Sequence, residues 1–599
     1  MARRIGRQSV CGICGEVAFN GSSVSCSAVR AMADSLAPRG PDAQGFFAER
    51  NVALGHRRLK IIDLTDHASQ PMVDHELGLV GVYNGAIYNF PELRVELESK
   101  GYRFRSRGDT EVILKAYDAW GARCVERLNG MFAFVLWERE SGRVFLARDR
   151  LGIKPLYYVR EPGKLRFAST LPALVAGGGI DGAIDPVALH YYMTFHAVVP
   201  APRTILASVK KLPPATFVTI EPDGSEHATS YWHLRFDRDA EQDAYGVEDW
   251  MRLLRLELEA AVRRRLVADV PVGVLLSGGL DSSLLVGLLA EQGQDGLNTF
   301  SIGFESAGGE SGNEFQYSDV IAQRFHTVHH RIEVDAARVL PALDTTVRAM
   351  SEPMVSHDCI GFYLLSQEVA RHVKVVQSGQ GADEVFAGYH WYPPLMSSRW
   401  PITDYARVFF DRDHDEFLRA VHPRFARENH SLRFVTRHFA ATGADRPIDQ
   451  ALHLDTTIML VDDPVKRVDN MTMAWGLEAR VPFLDHELVE LAARIPAEYK
   501  VRNGGKHVLK EVARALVPAE VIDRPKGYFP VPALRHLRGP YLAKVREVLD
   551  SSAARQRELF NRSYVDLLLR APGGHETPLR GSKLWQVTLL EYWLQAHGL

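Results

Sequence analysis

The chain has 599 residues, 46% hydrophobic and 24% charged, with a formal net charge of -3. That length implies two or three cores, and so small a net charge excludes the electrostatic footprint of a nucleic-acid or anionic-membrane binder. No apolar run is long enough to span a bilayer, five cysteines make no disulfide framework, and the opening MARRIGRQSV lacks the apolar stretch of a secretory signal, so a reducing cytoplasm is expected.

Short strand-type runs crowd the first third. GEVAFN, LGLVGVYNGAIYN, MFAFVLWE and RVFLARD alternate or cluster apolar residues over strand-length windows. One helical stretch, PELRVELESKG, stops at a glycine. A mixed α/β domain dominated by antiparallel sheet is expected. Prolines and polar residues in VVPAPRT, KLPPAT, EPDGSEHATSYW and DRDAEQDAYG mark a boundary, with 216–245 as linker. Beyond it the pattern becomes strand–loop–helix. VPVGVLLS, LNTFSIGF, VHHRIEV and KVVQS read as strands. SSLLVGLLAEQG, an amphipathic segment ending in QRFH, and FYLLSQEVARHV read as the helices between them. This rhythm predicts a doubly wound parallel sheet. From about residue 400 the chain reads mainly helical.

Cys11 opens the run CGICGE and forms a CxxC pair with Cys14. A redox or metal site is one reading, although a strand-like segment follows and no second CxxC exists for zinc. A buried structural cysteine is the plain alternative. Further on come RGPD (Arg39 to Asp42), GHRRLKIIDL (Gly55 to Leu64), QPM, NGAIYN (Asn84 to Asn89) and GDTE (Gly108 to Glu111). Taken singly, Asn84-Gly85 is a hairpin signal and RGPD an ordinary turn. In this order and spacing they resemble, over 11–215, the glutaminase domain of class II glutamine amidotransferases, as joined to asparagine synthetases. The fold so implied is an N-terminal-nucleophile α-β-β-α sandwich.

That resemblance makes Cys11 the nucleophile, with its own α-amine as base; such amines titrate at about 7.7–8.0. It gives the Asn84 side chain and the Gly85 N–H to the oxyanion. It gives Arg58 to the glutamine α-carboxylate and Asp109 to its ammonium. Two departures stand out. The family's NGEIYN reads NGAIYN here, with Ala86 for the glutamate. Cys11 is also not at the terminus. The expectation is that the Val10 codon initiates translation as methionine, whose removal frees the Cys11 amine, so that residues 1–10 are absent from the mature protein. A cleaved propeptide or a silent glutaminase are the alternatives.

Ser277-Gly-Gly-Leu-Asp-Ser-Ser283 lies between a predicted strand and a predicted helix and lacks the GK[ST] ending of a Walker loop. Its N–H groups and the helix N-terminus favour phosphate; a turn capped by Asp281 or Ser282 is the plain reading. It resembles the pyrophosphate loop of ATP pyrophosphatases. Ser378-Gly-Gln-Gly-Ala-Asp-Glu384 resembles the SGEGADE run of asparagine synthetases, and WGLEARVPFLDHELVE (Trp475 to Glu490) is a further family run, or a packed helix–loop. Over 246–599 this implies ATP-dependent formation of an acyl-adenylate. Ser277, Gly278, Gly279, Ser282 and Ser283 would cradle pyrophosphate, and Leu275 and Ile302 would flank the adenine or ribose. Ser378 and Gly379 would approach the adenylate, Asp281 and Asp383 would hold Mg2+, and Lys506 would neutralise phosphate charge.

Gln380 stands where the family glutamate faces the activated substrate, and a glutamine carries neither charge nor proton. That argues against aspartate. Together with Ala86, FHAVVPAPRT, MSEPMVSHDCIGFYLLS and SGQGADEVFAGYHWYPP, it resembles the subgroup that amidates the C-terminal carboxylate of N-acetylglutaminylglutamine, a dipeptide osmolyte. The expected partners are glutamine, ATP and a carboxylate acceptor, in a protein that could pair as a homodimer, with neither nucleic acid nor membrane. An asparagine synthetase acting on aspartate is the nearest rival. A sulfur- or tRNA-modifying pyrophosphatase would share the nucleotide loop without needing the glutaminase constellation. A silent scaffold would follow from a blocked Cys11.

Overall fold

The computed structural model describes residues 11–19, 21–305, 313–524, 534 and 537–599. The expected segment 1–10 lies outside them. Two six-stranded antiparallel sheets come first. One runs in the order Val209–Lys211, Tyr157–Glu161, Lys164–Ala168, Gly12–Ala18, Val52–Arg58, Ala43–Glu49. The other runs Glu226–Ser230, Thr216–Ile220, Val144–Arg148, Gly130–Glu138, Leu79–Ile87, Met72–Asp74. Their facing sides share a core of Ile13, Val17, Val52, Leu54, Val80, Val82, Ala133 and Val135.

Helices cover both outer faces. In the strand Leu79–Ile87, Val80 and Val82 enter the inter-sheet core. Leu79, Tyr83 and Ile87 pack instead with Leu93, Val112 and Ile113 of the helices Phe90–Ser99 and Asp109–Trp120. A strand buried on both faces needs a nearly continuous apolar run, which is why LVGVYNGAI reads as one. The result is an α-β-β-α sandwich.

One plain alternative fails here and one expected boundary is corrected. Asn84-Gly85 is no hairpin turn: it lies within a strand, paired Asn84 with Ala133 and Gly85 with Phe132. Gly is required by close approach, since a Cβ at Gly85 would lie 2.1 Å from the Met131 carbonyl oxygen. The segment 216–245 is not wholly a linker. Thr216–Ile220 and Glu226–Ser230 form a hairpin that completes the second sheet, and the Pro-Asp-Gly signal inside it is the hairpin's turn.

The long helix Val247–Arg264 then opens the second part. Its five-stranded sheet is parallel throughout, in the order Val328–Val334, Asn298–Phe304, Val272–Leu275, Val375–Gln377, Glu478–Arg480. Strand order reverses between Val272–Leu275 and Val375–Gln377. In a doubly wound sheet that switch point opens a crevice at the carboxyl ends of the strands. The loops that leave these two strands are Ser277–Gly279 and Ser378–Gly381. Among the described residues after Pro401, helices and their connecting loops make up the chain, apart from the strand Glu478–Arg480. Among the described residues, no helix is long and apolar enough to cross a membrane.

Candidate functional site

The first site gathers at one end of the sandwich. Cys11 immediately precedes the strand Gly12–Ala18, and its thiol lies 3.4 Å from the Leu59 amide nitrogen, which donates to it. Burial pushes that thiol up to about 11, so at neutral pH it needs a base. Cys14, three residues on, faces the other way. It is fully buried against the carbonyls of Val29 and Gly55, and both cysteines are free thiols. The CxxC pair therefore runs into a strand with its two sulfurs apart.

Arg58, 3% exposed, closes the neighbouring strand; its Nη1 donates to the Thr65 carbonyl at 2.7 Å and its Nη2 to that of Asp63. Asp109 begins the helix Asp109–Trp120. Its Oδ2 accepts the Tyr83 hydroxyl at 2.8 Å and the Ile87 N–H at 3.1 Å. Burial outweighs those bonds and raises its carboxyl to about 6. Asn84 is fully buried, and neither its amide nitrogen nor its carbonyl oxygen has a partner among the described residues. Native proteins rarely leave such a group unsatisfied, so this amide is open to a further hydrogen-bond partner. Ala86 lies two residues along the same strand face, buried with Tyr88 and Met131.

A contributor from the other sheet was not expected. Glu478, buried on the edge strand of the parallel sheet, bears electrostatically on Cys11 and on Asp109. Its Oε1 accepts Arg480 Nε at 2.8 Å. The guanidinium of Arg480 stands 5.6 Å from the Tyr88 ring, and the Arg480 carbonyl accepts the Ser378 N–H at 2.9 Å. Read as part of a packed helix–loop, EAR gave no sign of this.

The second site is a cavity of about 470 Å³ at the switch point. The helix Leu280–Glu291 aims its N-terminus at it, with Gly279 as N-cap, and the Ser277 N–H donates to Ser282 Oγ at 3.1 Å. Leu275, Ser277, Gly279, Asp281, Ser282, Ile302, Ser378, Gly379, Gln380, Asp383 and Lys506 all line it. Gly278 and Ser283, expected at the pyrophosphate, are not among the residues that line the cavity. Gly278 is backed by the next helix, where a Cβ would lie 2.7 Å from the Ser318 nitrogen, and Ser283 is fully buried.

Lys506 donates to Asp281 at 2.7 and 2.9 Å and pairs with Asp383 at 2.8 Å. Burial opposes its charge, yet the two carboxylates hold it protonated. Gly388 is needed beside this cluster, since a Cβ there would meet Asp383 Oδ1 at 2.0 Å. Among the described residues no three His, Cys, Asp or Glu groups gather as a cage. Two facing carboxylates beside a phosphate loop do fit Mg2+, which takes one or two carboxylates together with substrate phosphates.

Residues that sequence reasoning missed also line the cavity. Arg524 and Lys510 stand at the loop end, Arg524 paired with Glu314 at 2.7 Å. Asp358, Glu384, Tyr389 and Arg467 belong to the same wall. The Tyr389 hydroxyl donates to Glu384 at 2.6 Å, and burial with neighbouring Asp383 pushes Glu384 up to about 7.

Comparison with known proteins agrees with this division. Residues 253–595 match the asparagine synthase family, and residues 10–232 match the glutamine amidotransferase domain. Asparagine synthetase [glutamine-hydrolyzing] 1 of Bacillus subtilis is 31% identical over 94% of this chain and 93% of its own. Asparagine synthetase B of Escherichia coli is 32% identical over 82% of this chain and 76% of its own. Among solved structures, the glutamine phosphoribosylpyrophosphate amidotransferase of B. subtilis aligns at 16% identity and a TM-score of 0.29. That alignment covers 47% of this chain and 64% of that one. The chain thus belongs to the asparagine synthase family, with a class II glutamine amidotransferase domain, and is a glutamine-hydrolysing ligase.

Proposed function

We propose that the chain amidates the C-terminal carboxylate of N-acetylglutaminylglutamine, drawing nitrogen from glutamine and energy from ATP. At the first site, Cys11 Sγ attacks the glutamine amide carbon while the Cys11 α-amine takes the thiol proton and passes it to the departing ammonia. Water then releases glutamate from the thioester. Asn84 Nδ2 and the Gly85 N–H stabilise the oxyanion, and the unpartnered, buried Asn84 amide supports that role. Arg58 holds the glutamine α-carboxylate and Asp109 its ammonium.

At the second site, an acceptor carboxylate oxygen attacks the α-phosphorus of ATP and pyrophosphate leaves. Ammonia then attacks the acyl carbon and AMP leaves. Ser277, Gly279 and Ser282 seat the phosphates at the helix N-terminus, Leu275 and Ile302 flank the nucleoside, and Ser378 and Gly379 border the adenylate. Asp281 and Asp383 would hold Mg2+, which would supply charge neutralisation on the phosphates. Lys506 carries positive charge to the same oxygens.

Gln380 in the cavity wall is the observation that bears on the acceptor. Aspartate brings an ammonium and a second carboxylate, which a buried wall must pair at a cost of several kcal/mol. An acylated dipeptide brings one carboxylate and neutral amides. Purified protein with ATP, Mg2+ and glutamine is expected to release pyrophosphate with N-acetylglutaminylglutamine and not with aspartate. Asparagine formed at a comparable rate overturns this acceptor.

A further inference from the structure

The acceptor wall of the cavity holds a side chain that no role above uses. The helix Pro447–Leu454 passes through two π-helical turns, Asp455–Met459 and Val461–Val465, before it resumes as Lys466–Met473. Such turns are rare and recur at functional sites, because the widened backbone re-aims the side chains after it. Pro464, inside the second turn, has no N–H to give a regular helix.

Arg467 lies in the first turn beyond them. It lines the cavity together with Gln380 and the Ser277–Ser282 loop, and it is 8% exposed. Its Nη1 leans on Asp463 at 3.3 Å, whereas its Nε has no acceptor among the described residues. Asp358, at the start of the helix Asp358–Val369, lines the same wall and lies in the field of Arg467.

Charge decides what this guanidinium can take. Asp463 balances Arg467, and Asp358 and Glu384 in the same wall add no positive charge. A wall so balanced is a poor seat for a second carboxylate, which would go unpaired in a buried place. A neutral carbonyl oxygen satisfies the unused donor without importing charge. We propose that Arg467 is an acceptor-binding residue whose Nε–H donates to an amide carbonyl oxygen of the acceptor, selecting an acylated dipeptide over a free amino acid. This rests on the acceptor class proposed above.

The test uses the whole protein with ATP, Mg2+ and ammonium, scored by pyrophosphate release, for the parent, Arg467→Lys and Arg467→Met. Loss of a hydrogen bond from a charged donor predicts that KM for N-acetylglutaminylglutamine rises about 10- to 100-fold. KM for ATP and glutamine hydrolysis should stay unchanged. Arg467→Lys keeps a cation for Asp463 while losing the Nε donor, so it decides the matter even if Arg467→Met fails to fold. A parent that takes the dipeptide while Arg467→Lys keeps its KM overturns Arg467 alone, as does a parallel rise in KM for ATP. A parent that adenylates aspartate and ignores the dipeptide overturns the acceptor class, and the carbonyl assignment with it.

Discussion

Asn84→Ala separates a residue kept for chemistry from one kept for stability. Both polar atoms of its side chain are buried without a partner, and such a group costs about 1–3 kcal/mol. Removing it relieves that cost and sacrifices packing worth about 1–2 kcal/mol. The terms offset, so the variant should unfold within about 1 kcal/mol of the parent. Asp149→Ala is the contrast. Asp149, 1% exposed, accepts the N–H groups of Ile153 at 2.8 Å, Lys154 at 2.9 Å and Phe132 at 3.1 Å. Stranding those donors should cost about 3 kcal/mol or more. Glutamine-dependent kcat of Asn84→Ala should nonetheless fall about 100- to 1,000-fold, with ammonia-dependent synthesis intact. Denaturant unfolding beside a glutamate-release assay reads both. A variant destabilised like Asp149→Ala, or one within about threefold of parental glutamine turnover, refutes the reasoning.

Cys11→Ala is expected to abolish glutamine use and to leave synthesis from ammonia, and protein active with glutamine should show Cys11 as its first residue by intact mass. Glutamine turnover in protein that keeps residues 1–10 would remove the α-amine from the mechanism. For Asp109, burial holds the carboxyl protonated up to about 6, so kcat/KM for glutamine should fall as pH drops through 6 while ammonia-dependent synthesis does not follow. In the unfolded chain the same group loses its proton near 3.8, so its ionisation destabilises the fold as pH rises from 3.8 to 6. Asp109→Asn should therefore stabilise the protein at pH 7 while raising KM for glutamine. An acid limb that survives in Asp109→Asn assigns that limb elsewhere.

The elements legible in the sequence were those whose pattern is local. VHHRIEV and LNTFSIGF became strands at Val328–Val334 and Asn298–Phe304, and the run closed by Gly293 became the helix Leu280–Glu291. Loops that carry chemistry, such as SGGLD, also announce themselves through glycines set between strand and helix. What stayed hidden depends on tertiary placement. Arg467 reaches the cavity only after two π-helical turns that no periodicity rule anticipates. The polar texture of 216–230, with its Pro-Asp-Gly turn, resembled a linker because an edge hairpin and a linker are both rich in polar and turn residues. Gly278 and Ser283 belong to a phosphate-loop pattern, yet tight packing behind the loop turns them away from the cavity.

The same tertiary placement binds the two chemistries together. Arg39 pairs with Asp469 at 3.0 Å, and Lys154 approaches the same carboxylate at 3.4 Å. Lys211, on the first sheet, pairs with Glu352 at 2.8 Å and also with Asp462. In each pair the cation precedes residue 232 and the carboxylate follows residue 253, and all six residues are more than nine-tenths buried. Breaking a buried pair by removing one partner costs about 3–5 kcal/mol, because the other charge cannot return to water without opening the interface. Removing Arg39, Lys154 or Lys211 would leave a buried carboxylate short of a partner, so these pairs tie the two parts together. The strand Glu478–Arg480 adds a direct link, with its Arg480 carbonyl on Ser378 of the loop that lines the second cavity and its Arg480 guanidinium over Tyr88 beside the first site. The two sites are therefore joined both by buried charge pairs and by a strand that touches each of them.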